Sequence, residues 1–273
     1  MERKIPLEGC FNFRDLGGYP TRSGGRVRWR RLFRSDGLQL LTAADVARLR
    51  DELRLGAVVD LRSSAELAQD GRGRLADTDI GFHHVPFFDG ATGHQRPPAA
   101  MSLAQMYVGM IERAGAPIAR AIRVLADTPG DRAAVYHCAA GKDRTGVLSA
   151  LLLSLLDVDD EIVVADYALS QESMDDVIER LNSLRGYEDI WKELPPDTMH
   201  ARPETMRELL ATLGERWGGA QGFVESIGVD EETSERLRAG TRHRSPRGCA
   251  GGPCVDRAAP GPGAGPVGGA GEP

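Results

Sequence analysis

The sequence predicts an α/β domain with a central, mostly parallel sheet flanked by helices and a helical C-terminal half. Two apolar runs predict the sheet. Gly56-Ala57-Val58-Val59-Asp60-Leu61 is rich in β-branched residues and reads as a strand buried on both faces, the parallel-sheet pattern. Ala133-Ala134-Val135-Tyr136-His137 is a second such strand. The helical half is predicted by residues 161–239, which carry helical spacing with breaks near Gly186, Pro195-Pro196 and Gly218-Gly219.

The remaining elements follow in order. Residues 10–40 alternate extended and turn signals, punctuated by Leu16-Gly17-Gly18-Tyr19-Pro20 and Ser23-Gly24-Gly25. Arg26 to Phe33 alternates enough to read as one strand. Thr42 fits an N-cap, with Asp45 complementing the first turn of a helix that runs through Leu53 and buries Leu49 and Leu53. Ser64 to Gln69 starts a short helix, Phe82 to Phe87 is a third strand, and the Gly- and Pro-rich residues 89–100 read as a loop. Leu103 to Ala126 has the spacing of a long helix, interrupted before Pro117. A glycine turn after His137 leads into a strongly helical Thr145 to Leu156. From Thr241 to Pro273, nine glycines and six prolines fall among 33 residues. That composition predicts a folded domain over residues 1–240 and a disordered Gly/Pro-rich tail over 241–273.

Bulk properties exclude several classes. With 273 residues, 41% hydrophobic and 27% charged, the chain can bury a sizeable core as one large domain or two small ones. A net charge of -6 argues against nucleic acid as a partner, yet leaves room for an anionic substrate at a local positive cluster. Four cysteines, Cys10, Cys138, Cys249 and Cys254, are too few for a disulfide framework in a chain this long. Cys249 and Cys254 lack a second ligand pair for zinc, and Cys10 reads as a core or surface thiol. The first residues show no secretory signal, and the longest apolar stretch, Val147 to Leu156, is too short to span a bilayer. The simplest expectation is a cytoplasmic protein with no integral membrane association.

The chemistry lies in His137-Cys138-Ala139-Ala140-Gly141-Lys142-Asp143-Arg144-Thr145-Gly146, between a buried strand and an apolar helix. A loop in that setting can aim several backbone N–H groups, together with the helix N-terminus, at one phosphate-sized anion. Ala139, Ala140 and Gly141 would supply backbone donors, Gly141 and Gly146 would permit close approach, and Lys142 would add charge at the rim. Donors and positive charge favour a thiolate at Cys138, which can attack phosphorus in line with the leaving group. The planar fork of Arg144 suits two phosphate oxygens, and the Thr145 hydroxyl can bond to sulfur or phosphate. Asp143 is the first choice for the acid that protonates the leaving group; Asp60, ending a buried strand, is the second. Asp60 and Arg62 would then flank the phosphate, unless they only form a structural ion pair at the strand end. Asp143 has its own structural alternative as a helix cap. Arg14 and Asp15 read as a supporting pair, His137 as a hydrogen-bonding partner of the loop, and His83-His84 as strand residues. No metal or cofactor is required by this chemistry.

The pattern Cys138-x5-Arg144 followed by Thr145-Gly146 resembles the signature of protein tyrosine and dual-specificity phosphatases. The fuller form is similar to an atypical bacterial branch that acts on phosphotyrosine and, in some members, phosphoinositides. Asn12-Phe13-Arg14-Asp15-Leu16-Gly17-Gly18, Arg34-Ser35, Val59-Asp60-Leu61-Arg62-Ser63 and Val163-Val164-Ala165-Asp166-Tyr167 also match that branch, so the likeness spans roughly Asn12 to Gly240. The resemblance implies a cysteine-phosphatase-like fold and a phosphatase domain over residues 1–240. It also implies a phosphocysteine intermediate, Asp143 as acid, and a phosphorylated protein or phosphoinositide as substrate. One departure stands out: where the branch carries a long insertion belonging to a helical lid, Asp89 to Ala104 is short and rich in Gly and Pro. Aromatic residues make up only 5% of the chain, so no wall for a phosphotyrosine ring is legible. A phospho-binding module, an arsenate reductase and a sulfurtransferase are the weaker alternatives. The first would dispense with Cys138 or the acid, the second needs resolving cysteines, and the third does not need Asp143-Arg144-Thr145.

Overall fold

The computed structural model describes residues 2–89, 101–184 and 196–243. Its centre is a five-stranded sheet in the order β1-β3-β6-β4-β5. The strands are β1 (Arg14–Asp15), β3 (Leu32–Ser35), β4 (Leu55–Asp60), β5 (Gly81–His84) and β6 (Ala133–His137). All neighbours pair in parallel except β1, which runs antiparallel to β3. Every residue of β6 is buried, as a central strand covered on both faces must be. Its side chains alternate between two cores. Val135 joins Val58, Phe33 and Leu49 on one face, while Ala134 and Tyr136 join Ala57, Val59 and Leu151 on the other.

The register aligns Ser35, Asp60 and His137 across β3, β4 and β6. Three strands therefore end together, and the segments that follow them meet at one edge, where ligands gather in open α/β sheets. The two strands read from their apolar runs are thus direct neighbours.

Helices cover the sheet. They are α1 (Ala43–Ala47), α2 (Ser64–Asp70), α3 (Leu103–Arg113), α4 (Gly115–Asp127), α5 (Asp143–Leu155), α6 (Asp160–Ala168), α7 (Met174–Ser183), α8 (Pro203–Trp217), α9 (Ala220–Ser226) and α10 (Glu231–Thr241). Thr42 caps α1 with Asp45 in a reciprocal capping box, and the helix continues as a π-type turn over Arg48–Glu52. The long helix expected from Leu103 divides at Ala114, so Pro117 falls in the first turn of α4, where its missing N–H costs nothing. The break at Gly218 is a left-handed C-cap with φ 72°. The breaks expected near Gly186 and Pro195, and the loop at 90–100, lie outside the described residues. Among the described residues, no helix is long and apolar enough to cross a membrane.

One expectation is corrected. Arg26 to Phe33 is not one strand. β2 (Arg26–Val27) pairs with β7 (Arg242–His243) in a separate two-stranded sheet, and β3 begins only at Leu32. The chain turns between them at Arg30, whose φ is 59° and whose N–H is held by Asp15 Oδ2 at 2.7 Å. No glycine or proline marks that turn. Thr241 is buried, its carbonyl accepts from the Arg28 N–H at 2.7 Å, and Arg242–His243 pair with β2. The rest of the tail, 244–273, lies outside the described residues.

Truncation after His243 should leave the thermal midpoint unchanged. Truncation after Gly240 strips β2 of its partner, at about 1 kcal/mol for each hydrogen bond lost, and should lower the midpoint by several degrees. Equal midpoints in the two truncations would show that β7 contributes nothing.

Candidate active site

The loop Cys138–Lys142 joins β6 to α5 at the shared strand ends. Cys138 is 2% exposed, and its Sγ accepts the Gly141 N–H at 3.3 Å. Gly141 has φ 69°, and a Cβ there would fall 2.6 Å from both the Asp36 nitrogen and the Ser35 oxygen, so the turn requires glycine. Ala139 and Ala140 turn their methyl groups into a small core with Met174, Val177 and Leu181 of α7.

Arg144 is held before any substrate arrives. Its guanidinium donates to Glu66 Oε2 at 2.6 Å and Oε1 at 2.8 Å, a bidentate pair. Burial alone would raise the Glu66 pKa, but the Arg144 charge outweighs it and holds the carboxyl at about 2. Glu66 also accepts from the Ser63 N–H at 2.7 Å, capping α2. The Ser63-x-x-Glu66 spacing is a readable cap signal, but nothing local announces that the same carboxylate reaches a residue 78 positions on.

Asp143 opens α5 with its side chain 35% exposed. Its Oδ1 accepts from the Tyr107 hydroxyl at 2.6 Å and lies 2.9 Å from Lys142 Nζ. Burial pushes the Tyr107 pKa well up, so this hydroxyl stays a donor. Because Tyr107 gives its single proton to Asp143, the 2.8 Å contact with Tyr167 is donated by Tyr167. The chain Tyr167–Tyr107–Asp143 thus fixes one carboxyl oxygen, Oδ1. Asp143, Tyr107, Lys142 and Ala140 border a cavity of about 260 Å³ walled by Phe88, Leu103, Met106, Met110, Met174 and Met199. The apolar wall that the low aromatic content hid is mostly methionine, which fills and lines irregular space.

Other expected residues sit differently. Lys142 is not at the rim. It is 1% exposed, and its ammonium donates to the carbonyls of Thr198 and His200 as well as facing Asp143. Thr145 Oγ1 is buried with no hydrogen-bond partner among the described residues. Gly146 packs against the Tyr167 ring, which a Cβ would approach to 3.0 Å.

Asp60 and Arg62, expected to flank the phosphate, form a buried ion pair. Both are at most 1% exposed, Arg62 Nη2 reaches Asp60 Oδ2 at 2.6 Å, and neither borders the cavity. Burial would raise the Asp60 pKa, but His137 and Arg62 hold it at about 2, so it cannot keep a proton to donate near neutrality. The pair braces the strand ends. Burial lowers the His137 pKa while the Asp60 carboxylate pulls it up, and its Nδ1 lies 3.3 Å from the Cys138 carbonyl. Arg14 and Asp15 are structural but do not pair with each other. Arg14 bonds Asp166 and Asn12, while Asp15 accepts from the N–H groups of Gly17 and Arg30. His83-His84 lie in β5 as expected. Cys10 is buried, and Cys249 and Cys254 lie outside the described residues.

Residues 5–241 match the model of a family described as the tyrosine phosphatase family. The triple specificity protein phosphatase PtpB of Mycobacterium tuberculosis is 30% identical over 275 residues, covering 85% of this chain and 96% of that protein. A tyrosine-protein phosphatase of Nostoc commune is 36% identical over 114 residues, 40% of this chain and 38% of that one. Among solved structures, the core catalytic domain of the PP-IP phosphatase SIW14 from S. cerevisiae aligns at 20% identity with a TM-score of 0.36, covering 66% of this chain and 93% of that one.

The Glu66–Arg144 pair makes a pH-dependent contribution. A folded pKa near 2 against an ordinary 4.5 means that its stabilisation is present above pH 4.5 and fades as pH falls toward 2. Glu66→Gln should therefore lower the thermal midpoint by several degrees at pH 7, with a gap to wild type that narrows in acid. A gap that is constant down to pH 2 would contradict the assigned ionisation.

Proposed function

The chain belongs to the tyrosine phosphatase family, and on that premise we propose that Cys138 is its nucleophile, Arg144 its phosphate clamp and Asp143 its general acid. One observation carries the proposal. Cys138 Sγ sits at the base of the loop with the Gly141 N–H on it, while the Arg144 fork and the Asp143 carboxyl stand at the loop's far end.

The chemistry runs in two steps. The Cys138 thiolate attacks phosphorus, forming S–P as the bond to the leaving oxygen breaks, and Asp143 Oδ2 gives its proton to that oxygen. Asp143, now a carboxylate, takes a proton from water as the water oxygen attacks phosphorus and the S–P bond breaks, restoring the thiolate. Arg144 binds two equatorial oxygens throughout, and backbone N–H groups of residues 139–142 take the charge that develops there. The unpartnered Thr145 hydroxyl is available to the sulfur as it leaves.

The substrate class is a phosphorylated one, and phosphotyrosine is the favoured member. The apolar cavity beside Asp143 supports an aryl group, and the engagement of Lys142 with two carbonyls and Asp143 weakens the case for it as a contact to extra inositol phosphates. The triple specificity named for the Mycobacterium tuberculosis relative supports a second, broader substrate range. The phosphatase domain is assigned to residues 1–243, with the remaining tail dispensable. The two described cysteines are free thiols, which supports a reducing compartment such as the cytoplasm.

Cys138→Ser should abolish turnover yet still bind phosphate, and Arg144→Lys should lower kcat/KM by roughly 10²–10³, the usual loss when one oxyanion donor is removed. Asp143→Asn should steepen the slope of log kcat/KM against leaving-group pKa, because a poor leaving group needs the proton most. Normal turnover in either of the first two variants, or an unchanged slope in the third, would refute the role assigned to that residue. Kinetics on phosphotyrosine peptide, phosphoserine peptide and phosphoinositide should rank phosphotyrosine first; equal rates on all three would favour the broader range.

A further inference from the structure

A phosphate loop works only if its peptide groups keep their N–H bonds turned inward. In a trans peptide the C=O of one residue and the N–H of the next point in opposite directions. No cis peptide occurs among the described residues. Whatever holds a loop carbonyl outward therefore holds the following N–H inward.

Two outer carbonyls are held this way. The Ala139 oxygen accepts from Arg180 Nη2 at 3.0 Å and from the Gly37 N–H at 3.0 Å. The Gly141 oxygen accepts from Arg34 Nη2 at 2.9 Å and from Asn12 Nδ2 at 3.2 Å. By the trans rule these contacts aim the N–H groups of Ala140 and Lys142 at the anion. Neither N–H has an acceptor among the described residues, while the Gly141 N–H between them already points inward, onto Cys138 Sγ.

Both guanidinium groups are buried and locked. Arg34 is paired with Asp166 at 2.7 Å and Arg180 with Asp36 at 2.6 Å, and Asp36 also accepts from the Asn12 N–H at 3.0 Å. Buried ion pairs add little net stability, because desolvation offsets their attraction. Finding two of them, from different elements, on two carbonyls of one short loop is accounted for by geometry rather than by stability.

We propose that Asn12, Arg34 and Arg180 are positioning residues that set the phosphate affinity of the loop by fixing its peptide planes from behind. This rests on the phosphate-binding role proposed above for residues 138–144. It extends that role to a strand, the N-terminal segment and α7, whose side chains reach the loop's outer carbonyls.

The test is the dissociation constant of inorganic phosphate, measured by calorimetry on the full chain, alongside the thermal midpoint. Arg180→Lys keeps the charge beside Asp36 but cannot span both Asp36 and Ala139 with a planar fork. Asn12→Ala removes one donor to Gly141, together with the Oδ1 that accepts from Arg14, and leaves the Arg14–Asp166 pair in place. Each should weaken phosphate binding about tenfold, equal to about 1.4 kcal/mol, while the exposed control Arg207→Lys binds as wild type does. Folded variants that bind phosphate as tightly as wild type, even with lowered midpoints, would overturn the inference and leave these residues merely structural. Should Arg180→Lys fail to fold, Asn12→Ala decides alone. A wild type that binds no phosphate would sink the proposed function first, and this inference with it.

Discussion

In the proposed reading everything at the site depends on the backbone of Cys138 to Lys142, whose N–H groups face the anion and whose carbonyl oxygens face the protein. Left alone, such a turn would lose these groups to water or collapse into a longer helix. The fold prevents this in three ways. β6 delivers the loop between two parallel strands that end at the same level. Gly141 takes a backbone angle that a Cβ would forbid, pressed against Ser35 and Asp36. Helix α5 then starts at once, adding its unpaired donors.

Carboxylates do the holding. Asp36, Asp60, Glu66 and Asp166 each fix an arginine, respectively Arg180, Arg62, Arg144 and Arg34. Three of these pairs are almost fully buried, and their arginines address backbone. The fourth differs in position and exposure. The Arg144 side chain is 17% exposed, so a phosphate can reach a guanidinium whose plane is already set by Glu66. A ligand that meets a fixed fork loses less to ordering than one that must gather a free side chain. The Asp143 carboxyl is held in a similar manner, with Tyr107 and Lys142 both on Oδ1 and Tyr167 behind Tyr107.

Much of this was legible because it is local. The runs Gly56–Leu61 and Ala133–His137 carry their own strand signal, and Cys138-x5-Arg144 sits where strand gives way to helix. What was missed is long-range. Tyr107 lies 36 residues from the carboxylate it bonds, and no spacing rule links the two. The end of Arg26–Phe33 was misread because the turn at Arg30 is held by the Asp15 side chain rather than by glycine or proline. Asp60 is a candidate acid because it ends a buried strand, and only the fold reveals the Arg62 contact that draws its pKa down to about 2. The segments Asn12–Gly18, Arg34-Ser35 and Val163–Tyr167 carried the family likeness without an evident task. In the fold, their Asn12, Arg14, Arg34 and Asp166 assemble into one buried network behind Gly141.

The central claim is that phosphate passes through the sulfur of Cys138. The most direct measurement is rapid acid quench of the Asp143→Asn variant during turnover of an activated aryl phosphate. Such a substrate barely needs the acid for the first step, whereas the second step needs Asp143 as a base. The account predicts that the phosphoryl group accumulates on the peptide containing Cys138, bound through sulfur. A phosphoryl group recovered on another residue, or one still formed when Cys138→Ser is added, would contradict it.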